Sequence, residues 1–154
     1  MNIDALDRKI LGALQRDASK PAEQVGEEIG LSRNACWRRI KRLEENGVIA
    51  RRVALLDAGS LNLGLTVFVA IRTRSHTSDW LETFKLAVRD IPEITGVYRM
   101  SGETDYLLRA SVPDMKAYDG LYRRLIAKIE LEDVSSSFVM ETIKETTELP
   151  LGYA

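Results

Sequence analysis

The apolar residues of this chain repeat with a helical period near the N-terminus, and with mixed strand and helix periods farther along. Apolar residues three or four positions apart line one face of a helix, whereas β-branched or alternating runs favour strands. The 154 residues are enough for two small domains. The change of period predicts domains at residues 1–50 and 65–154. They would be joined by a hinge strand and linker at residues 51–64, a segment rich in turn-forming residues.

Residues 1–50 have the pattern of three short helices. Asp4 is suited to cap the first helix. Gly30 is expected to end the second helix, and Ser32 to cap a third helix that runs to about Glu45. The tight Gly-Leu-Ser turn between the last two helices is typical of a helix-turn-helix, so this part is interpreted as an N-terminal (winged) helix-turn-helix domain.

The predicted third helix has an apolar face and a basic face. At 100° per residue, Cys36, Ile40 and Leu43 fall on one side, which identifies them as core residues. The opposite side gathers basic, amide and indole groups, which suit the phosphates and base edges of duplex DNA. The residues predicted to contact DNA are Ser32, Arg33, Asn34, Trp37, Arg38, Arg39, Lys41 and Arg42.

Two side chains of this helix have a second interpretation. Trp37 could pack against the first helix or the segment that follows. Cys36 is expected to be a small buried apolar residue, and a redox sensor is the less favoured alternative.

The charge distribution supports a nucleic-acid partner. Residues 33–52 hold seven basic and two acidic side chains, whereas residues 53–154 hold 11 basic and 15 acidic ones. This asymmetry is typical of a DNA-binding end on an acidic body, although charged runs also form ordinary solvated helix faces.

Residues 65–154 follow the order strand, helix, strand, strand, helix, strand. The segments are 65–73, 78–91, 94–101, 106–112, 114–129 and a last strand from residue 135. This is a ferredoxin-like βαββαβ order, so the fold class is α+β, with a helix-turn-helix domain followed by this module. Two helices would cover one face of the sheet, which predicts that a partner subunit covers the other.

Four segments of the sequence are close to the motifs of one known family. They are LDRKIL, GLS…CWRRIKRLEENGVI, SGETDYLLRASVPDMKAY and SSFVMETIKETTELPL, which together span nearly the whole chain. They resemble the leucine-responsive/AsnC (Lrp/AsnC) family of bacterial and archaeal transcription regulators, also called feast/famine regulators. Pro21 departs from the serine that the family often has as the cap of the second helix.

The resemblance implies particular partners for each domain. The first domain would bind double-stranded operator DNA as a dimer. The second would bind a free amino acid in clefts between dimers and assemble homo-oligomers, from dimers to tetramers, octamers or larger forms. Cysteine, leucine and methionine are the candidate effectors, and no other cofactor is expected.

The hairpin MSGETDYL is the predicted effector loop. Gly102 would allow close approach of a ligand to the backbone, and Glu103 and Asp105 offer negative charge to an α-ammonium group. Ordinary hairpin chemistry would explain the same residues without a ligand. With the resemblance, the residues predicted to bind the effector are Met100, Gly102, Glu103, Thr104, Asp105, Tyr106, Ser135, Ser136 and Ser137.

Other functional classes have less support. The single histidine, His76, lies near Asp79 and Glu82 but has no second histidine or cysteine cluster beside it, so neither an enzyme nor a metal site is expected. The alternative is a stand-alone amino-acid-binding module that regulates an enzyme partner, and the basic third helix argues against it. The sequence has no long apolar run and no signal-peptide pattern, which predicts a cytoplasmic protein without a membrane partner.

Overall fold

The computed structural model describes residues 2–154, which form two compact units. The first unit contains the chain up to Leu55 together with Lys144–Ala154, and the second contains Leu56–Ile143. The second compact unit thus ends at Ile143, whereas the second domain predicted from the sequence ran from residue 65 to residue 154. The last residues belong to the first unit because Leu151 packs against its apolar core.

The first unit contains three helices, α1 at Ala5–Arg16, α2 at Ala22–Ile29 and α3 at Arg33–Glu45. The predicted caps are present. A carboxylate oxygen of Asp4 accepts a hydrogen bond of 2.8 Å from the N–H of Asp7, and the Ser32 hydroxyl accepts one of 3.3 Å from Ala35. The left-handed φ of 76° at Gly30 ends α2, as predicted.

The crossing of α2 and α3 depends on Gly26. A Cβ at this position would lie 2.6 Å from the carbonyl oxygen of Leu31 and 3.4 Å from the Cβ of Cys36. A side chain there would force the turn and α3 outward, so glycine permits the close crossing. Cys36 is fully buried beneath it, together with Ile40 and Leu43, which confirms the predicted core face of α3.

No wing or hinge strand follows α3 in the part of the chain that the structure describes. The stretch predicted as a hinge strand and linker, residues 51–64, lacks strand structure and is exposed except at Leu63. Its only regular feature is a turn in which the N–H of Leu63 donates to the carbonyl of Ala58 at 2.8 Å. A lone extended segment has no neighbouring strand within this chain to satisfy its backbone groups.

The second unit is a four-stranded antiparallel sheet with two helices. The strands are β1 at Leu65–Arg72, β2 at Ile94–Arg99, β3 at Tyr106–Val112 and β4 at Asp133–Phe138, and the helices are α4 at Ser78–Arg89 and α5 at Met115–Ile126. The strand order β2-β3-β1-β4 places β2 and β4 at the edges. This confirms the βαββαβ order. The last strand begins two residues earlier than predicted.

The two faces of the sheet differ in their cover. Val67, Val69 and Ile71 of β1 are buried in a core that includes Phe84 of α4 and Leu121 of α5. The opposite face also carries apolar side chains, as predicted from the sequence of β1. They are Phe68, Tyr98 and Leu107, of which Phe68 is 36% and Tyr98 47% exposed in the single chain.

None of the described helices has the length and apolar content that a membrane span requires.

Candidate functional site

The outer face of α3 presents polar and aromatic side chains to solvent. Arg33, Asn34, Trp37 and Arg38 are all exposed, and 53% of the Trp37 surface is accessible. Trp37 is not among the residues of the apolar core of this unit. Neither Arg33 nor Arg38 forms an ion pair within residues 2–154, so both guanidinium groups are available to a polyanion. We call these four residues the reading face.

Two further predicted contact residues lie beside the reading face. The exposed hydroxyl of Ser32 caps α3. Lys41 is also exposed and forms an ion pair of 3.1 Å with Glu44, one turn along the helix. Surface pairs of this kind contribute little to stability, so the Lys41 ammonium can exchange Glu44 for a phosphate at small cost.

Arg39 and Arg42, both predicted to contact DNA, are paired with carboxylates inside the domain. Arg39 Nη1 lies 2.7 Å from Oδ2 of Asp4 and 2.8 Å from Oδ1 of Asp7. Arg42 Nη2 lies 2.6 Å from Oδ2 of Asp7, whose side chain is fully buried. The carboxylate of Asp4 raises the pKa of Arg39, and the N–H of Asp7 together with Arg39 lowers the pKa of Asp4.

The hairpin between β2 and β3 is anchored at its base by Asp105. Its Oδ2 accepts a hydrogen bond of 2.8 Å from the N–H of Thr73, and its own N–H donates to the carbonyl of Ile71 at 3.0 Å. The N–H of Met100 closes the hairpin with a bond of 2.9 Å to the carbonyl of Asp105. The loop is therefore held firmly against the end of β1.

The tip of this hairpin leaves polar groups unused. The backbone N–H groups of residues 101–104 make no hydrogen bond to the described residues, and Gly102 has a φ of 106° with open space around it. Glu103 is exposed and forms no ion pair within residues 2–154. Oδ1 of Asp105 accepts no hydrogen bond in the same part of the chain. Donors for a carboxylate and acceptors for an ammonium group thus lie in one short loop.

Tyr106 was predicted to contact the effector, but its side chain lies in the core. It is only 7% exposed, and its ring centroid lies 4.7 Å from that of Phe84 and 5.6 Å from that of Trp80. Side chains alternate along a strand, and Tyr106 opens β3 on the helix-covered side. Its position gives it a packing role at the base of the loop.

The three predicted serines are divided between the two faces of β4. The Ser136 hydroxyl is hydrogen-bonded to the phenol of Tyr118 in α5. Ser135 and Ser137 lie on the uncovered face, opposite Ala70 and Phe68 of β1. Because β1 lies between β3 and β4, the serines and the hairpin are separated by two strand spacings, roughly 10 Å. One chain alone does not bring them together.

A groove that was not predicted from the sequence lies between α4 and the edge strand β2. It has a volume of about 580 Å³ and a mainly apolar floor, with basic side chains among its lining residues. Its lining includes Leu81, Val88, Ile94, Val97, Lys85, Arg89 and Arg99, with Tyr106 also contributing. The apolar residues of β2 are visible in the sequence. That α4 lies beside them depends on tertiary packing, which the sequence pattern does not show.

No group of three or more histidine, cysteine, aspartate or glutamate side chains within residues 2–154 could hold a metal ion. His76 is exposed in the segment before α4.

Comparison with known proteins identifies both domains. Residues 3–44 match the AsnC-type helix-turn-helix domain, and residues 66–149 match the Lrp/AsnC ligand binding domain. The chain is similar to the DNA-binding transcriptional activator DecR of Escherichia coli K12, with 47% identity over 97% of this chain and 99% of that protein.

Solved structures agree with this match. An AsnC family transcriptional regulator from Agrobacterium tumefaciens has 57% identity and a TM-score of 0.94, over 97% of this chain and 98% of that one. A transcriptional regulator from Neisseria meningitidis in complex with L-Met has 38% identity and a TM-score of 0.94, over 99% of both chains. DecR and the two proteins of known structure are regulators of transcription, and the helix-turn-helix match argues against a stand-alone amino-acid-binding module. The chain belongs to the Lrp/AsnC family of DNA-binding transcriptional regulators.

Proposed function

We propose that this regulator reads a specific operator with α3 and responds to an amino acid held by the hairpin at residues 100–105. The structure of the hairpin tip is the observation that supports amino-acid binding. Free backbone N–H groups at residues 101–104 lie beside the unpaired carboxylate of Glu103 and the free Oδ1 of Asp105. Such a loop matches the two charged ends that every free amino acid shares.

Each side chain of the reading face has a distinct part in operator binding. Arg38 and Arg33 would bind phosphates or the O6 and N7 edge of guanine. Asn34 lies in the first turn of α3 and suits the N6 and N7 edge of adenine. The exposed ring of Trp37 would pack against sugars or a thymine methyl group. Because its partner is genomic DNA, we expect this regulator to act in the cytoplasm.

The amino-acid effector would bind by its backbone charges. Its carboxylate would accept hydrogen bonds from the tip N–H groups, and its ammonium group would pair with Glu103 and Asp105. The exposed thioether of Met100 adjoins the tip and favours an apolar or sulfur-containing side chain. Cysteine, leucine and methionine meet this requirement, and the L-Met complex of the Neisseria regulator supports the choice of class.

Assembly would complete the effector site. The uncovered sheet face, with Phe68, Tyr98 and Leu107, is suited to pack against a second copy of the chain in a dimer. Ser135 and Ser137 are then available to meet the hairpin of another chain, since they lie too far from the hairpin of their own. An effector bound between dimers would favour one spacing of the DNA-binding domains over another.

The size of the response follows from linkage. An effector changes operator binding only through a difference in its affinity for the two arrangements. Such coupling is typically about 1–3 kcal/mol, which corresponds to a change of roughly 5- to 150-fold in operator affinity.

Selection of bound genomic DNA, with and without each amino acid, tests the proposal. The expected result is a defined set of operators whose occupancy changes with an apolar or sulfur-containing amino acid, and not with lysine or aspartate. Sequence-specific binding that ignores all amino acids would remove the effector part and leave the DNA-binding part standing.

A further inference from the structure

The buried carboxylate of Asp7 is the most heavily engaged polar group of the helix-turn-helix domain. It receives Arg39 on Oδ1 at 2.8 Å and Arg42 on Oδ2 at 2.6 Å, and Oδ2 also accepts the N–H of Asp4 at 3.2 Å. It is completely shielded from solvent in a domain whose other buried side chains are almost all apolar. Its bond to the N–H of Asp4 completes the capping box of α1, which accounts for the acceptor but not for the two arginines that the carboxylate also binds.

The geometry of the pair of arginines gives the reason. Arg39 and Arg42 are three residues apart on α3, so they are neighbours along one side of the helix. Each arginine pairs with a different oxygen of the Asp7 carboxylate. Together the two ion pairs fix both the rotation of α3 and its position along α1. A buried ion pair is weak evidence for stability, and register is its best attested use.

Rotation matters because α3 carries two parallel rows of basic residues. Arg38 and Lys41 form the outer row, while Arg39 and Arg42 form the row that is paired with Asp7. Arg42 is also exposed, and Arg39 is paired with Asp4 as well. Successive residues differ by 100° around a helix, so a rotation of that size would exchange one row for the other. The apolar face with Cys36, Ile40 and Leu43 opposes a rotation that large, and the ion pairs with Asp7 add a polar restraint that distinguishes two rows of similar charge.

We propose that Asp7 is a positioning residue for operator recognition. It holds Arg39 and Arg42 away from the duplex and thereby selects Asn34, Trp37 and Arg38 as the groups that read DNA. The inference rests on α3 being the DNA-reading helix, and it adds a residue on α1 that touches no DNA yet sets specificity.

The consequence for binding can be measured as a salt dependence. In Asp7→Asn the carboxylate charge is lost and Arg42 is released toward the phosphates, while Arg39 keeps its ion pair with Asp4. Each additional phosphate contact steepens the dependence of log affinity on log salt concentration by about 0.9. Non-specific binding should gain salt dependence while sequence discrimination falls.

The experiment uses fluorescence anisotropy on the full-length protein at several NaCl concentrations. One duplex is a sequence that the parent protein selects from random DNA, and the other is a scrambled duplex of the same length. For Asp7→Asn, we expect at least a roughly tenfold loss of discrimination and a slope on scrambled DNA that is steeper by about 0.9. Unchanged discrimination and slope in a folded Asp7→Asn protein would overturn the inference.

A rescue variant separates released charge from general loosening. Asp7→Asn combined with Arg42→Gln pairs two neutral amides and removes one freed charge. Its slope on scrambled DNA should fall back by about 0.9 from that of Asp7→Asn. A slope that stays steep would show that Arg42 is not the source and would count against the inference.

Two single variants decide the matter even if Asp7→Asn does not fold. Arg38→Gln removes an outer-row charge and should lower the slope by about 0.9. Arg42→Gln should leave the slope of the parent, because the parent's Arg42 does not touch phosphate. If Arg42→Gln lowers the slope as much as Arg38→Gln, Arg42 is a DNA contact and Asp7 does not hold it back. A parent protein without DNA affinity would instead refute the role of α3 itself.

Discussion

Oδ2 of Asp105 accepts a hydrogen bond of 2.8 Å from the backbone N–H of Thr73, while its other oxygen has no hydrogen-bond partner among the described residues. One carboxylate therefore has two separable functions. Oδ2 fixes the hairpin to the end of β1, and Oδ1 remains for an ammonium group.

This division predicts different effects for two substitutions. Asp105→Ala removes the acceptor and leaves the partly buried N–H of Thr73 without a partner, which should cost about 1–3 kcal/mol of unfolding free energy. Asp105→Asn keeps an oxygen for Thr73 and should change stability much less, while it loses the charge needed by the effector. Chemical denaturation of both variants measures the difference. Equal losses of stability would contradict the anchoring role of Oδ2.

The close crossing of α2 and α3 predicts that Gly26→Ala destabilises the helix-turn-helix domain. The new Cβ would lie 2.6 Å from a backbone oxygen that cannot move independently, so the expected loss is about 1–3 kcal/mol. Gly12→Ala is the matched control, since its Cβ would meet only side-chain atoms at 3.8 Å. Alanine favours helix, so the control should gain up to about 1 kcal/mol. Similar thermal unfolding of the two variants would refute the crowding at Gly26.

The C-terminal segment should stabilise the first unit, into which it packs. Gln15 exchanges two hydrogen bonds with the backbone of Leu149, at 2.6 and 3.2 Å, and Arg8 donates to Ala154 at 2.6 Å. Leu151 packs against the helix-turn-helix core. Leu151→Asp should therefore lower the melting temperature of this unit and weaken operator binding.

Glu148→Gln is the control for that experiment, because its side chain is exposed in the same segment. It should melt like the parent. A Leu151→Asp protein with parental melting would show that the segment contributes nothing to the domain.

Burial at Cys36 predicts a thiol that does not react in the folded protein. Desolvation raises the pKa of the Cys36 thiol above its ordinary value, so the folded state holds the neutral form. Below the pKa of the unfolded chain this difference has no effect on stability. Above it the unfolded chain ionises first, so stability falls as the pH rises further.

Alkylation by iodoacetamide at pH 8 should therefore be slow in native buffer and fast in denaturant. Rapid labelling of the folded protein, with a change in DNA binding, would revive the redox alternative.

The local features of this fold could be predicted from sequence because they depend on neighbours along the chain. Asp4 and Ser32 cap their helices through contacts three residues away, and helical period alone placed Cys36 in the core. The predicted bounds of α3 are confirmed, as is the βαββαβ order.

The remaining features depend on residues far apart in the chain. The pairing of Arg39 and Arg42 with Asp7 spans more than 30 positions, and nothing in the spacing of the arginines distinguishes them from Arg38. By contrast, the division of the three serines between the two faces of β4 follows from strand alternation and could have been predicted from the sequence. The packing of Leu151 against the core of the first unit is a tertiary contact, and the spacing of apolar residues along the chain does not predict it.

The most direct test is calorimetric titration with the amino acid that is found to change operator binding. It is titrated into three proteins, the parent, Glu103→Gln and Glu82→Gln. Both glutamates are exposed, but Glu82 lies on α4 and pairs with Lys85. If the hairpin tip holds the effector, Glu103→Gln should bind it at least about tenfold more weakly, a loss of roughly 1.4 kcal/mol, whereas Glu82→Gln binds like the parent. Parental affinity in the Glu103→Gln protein would contradict an effector site at the hairpin tip.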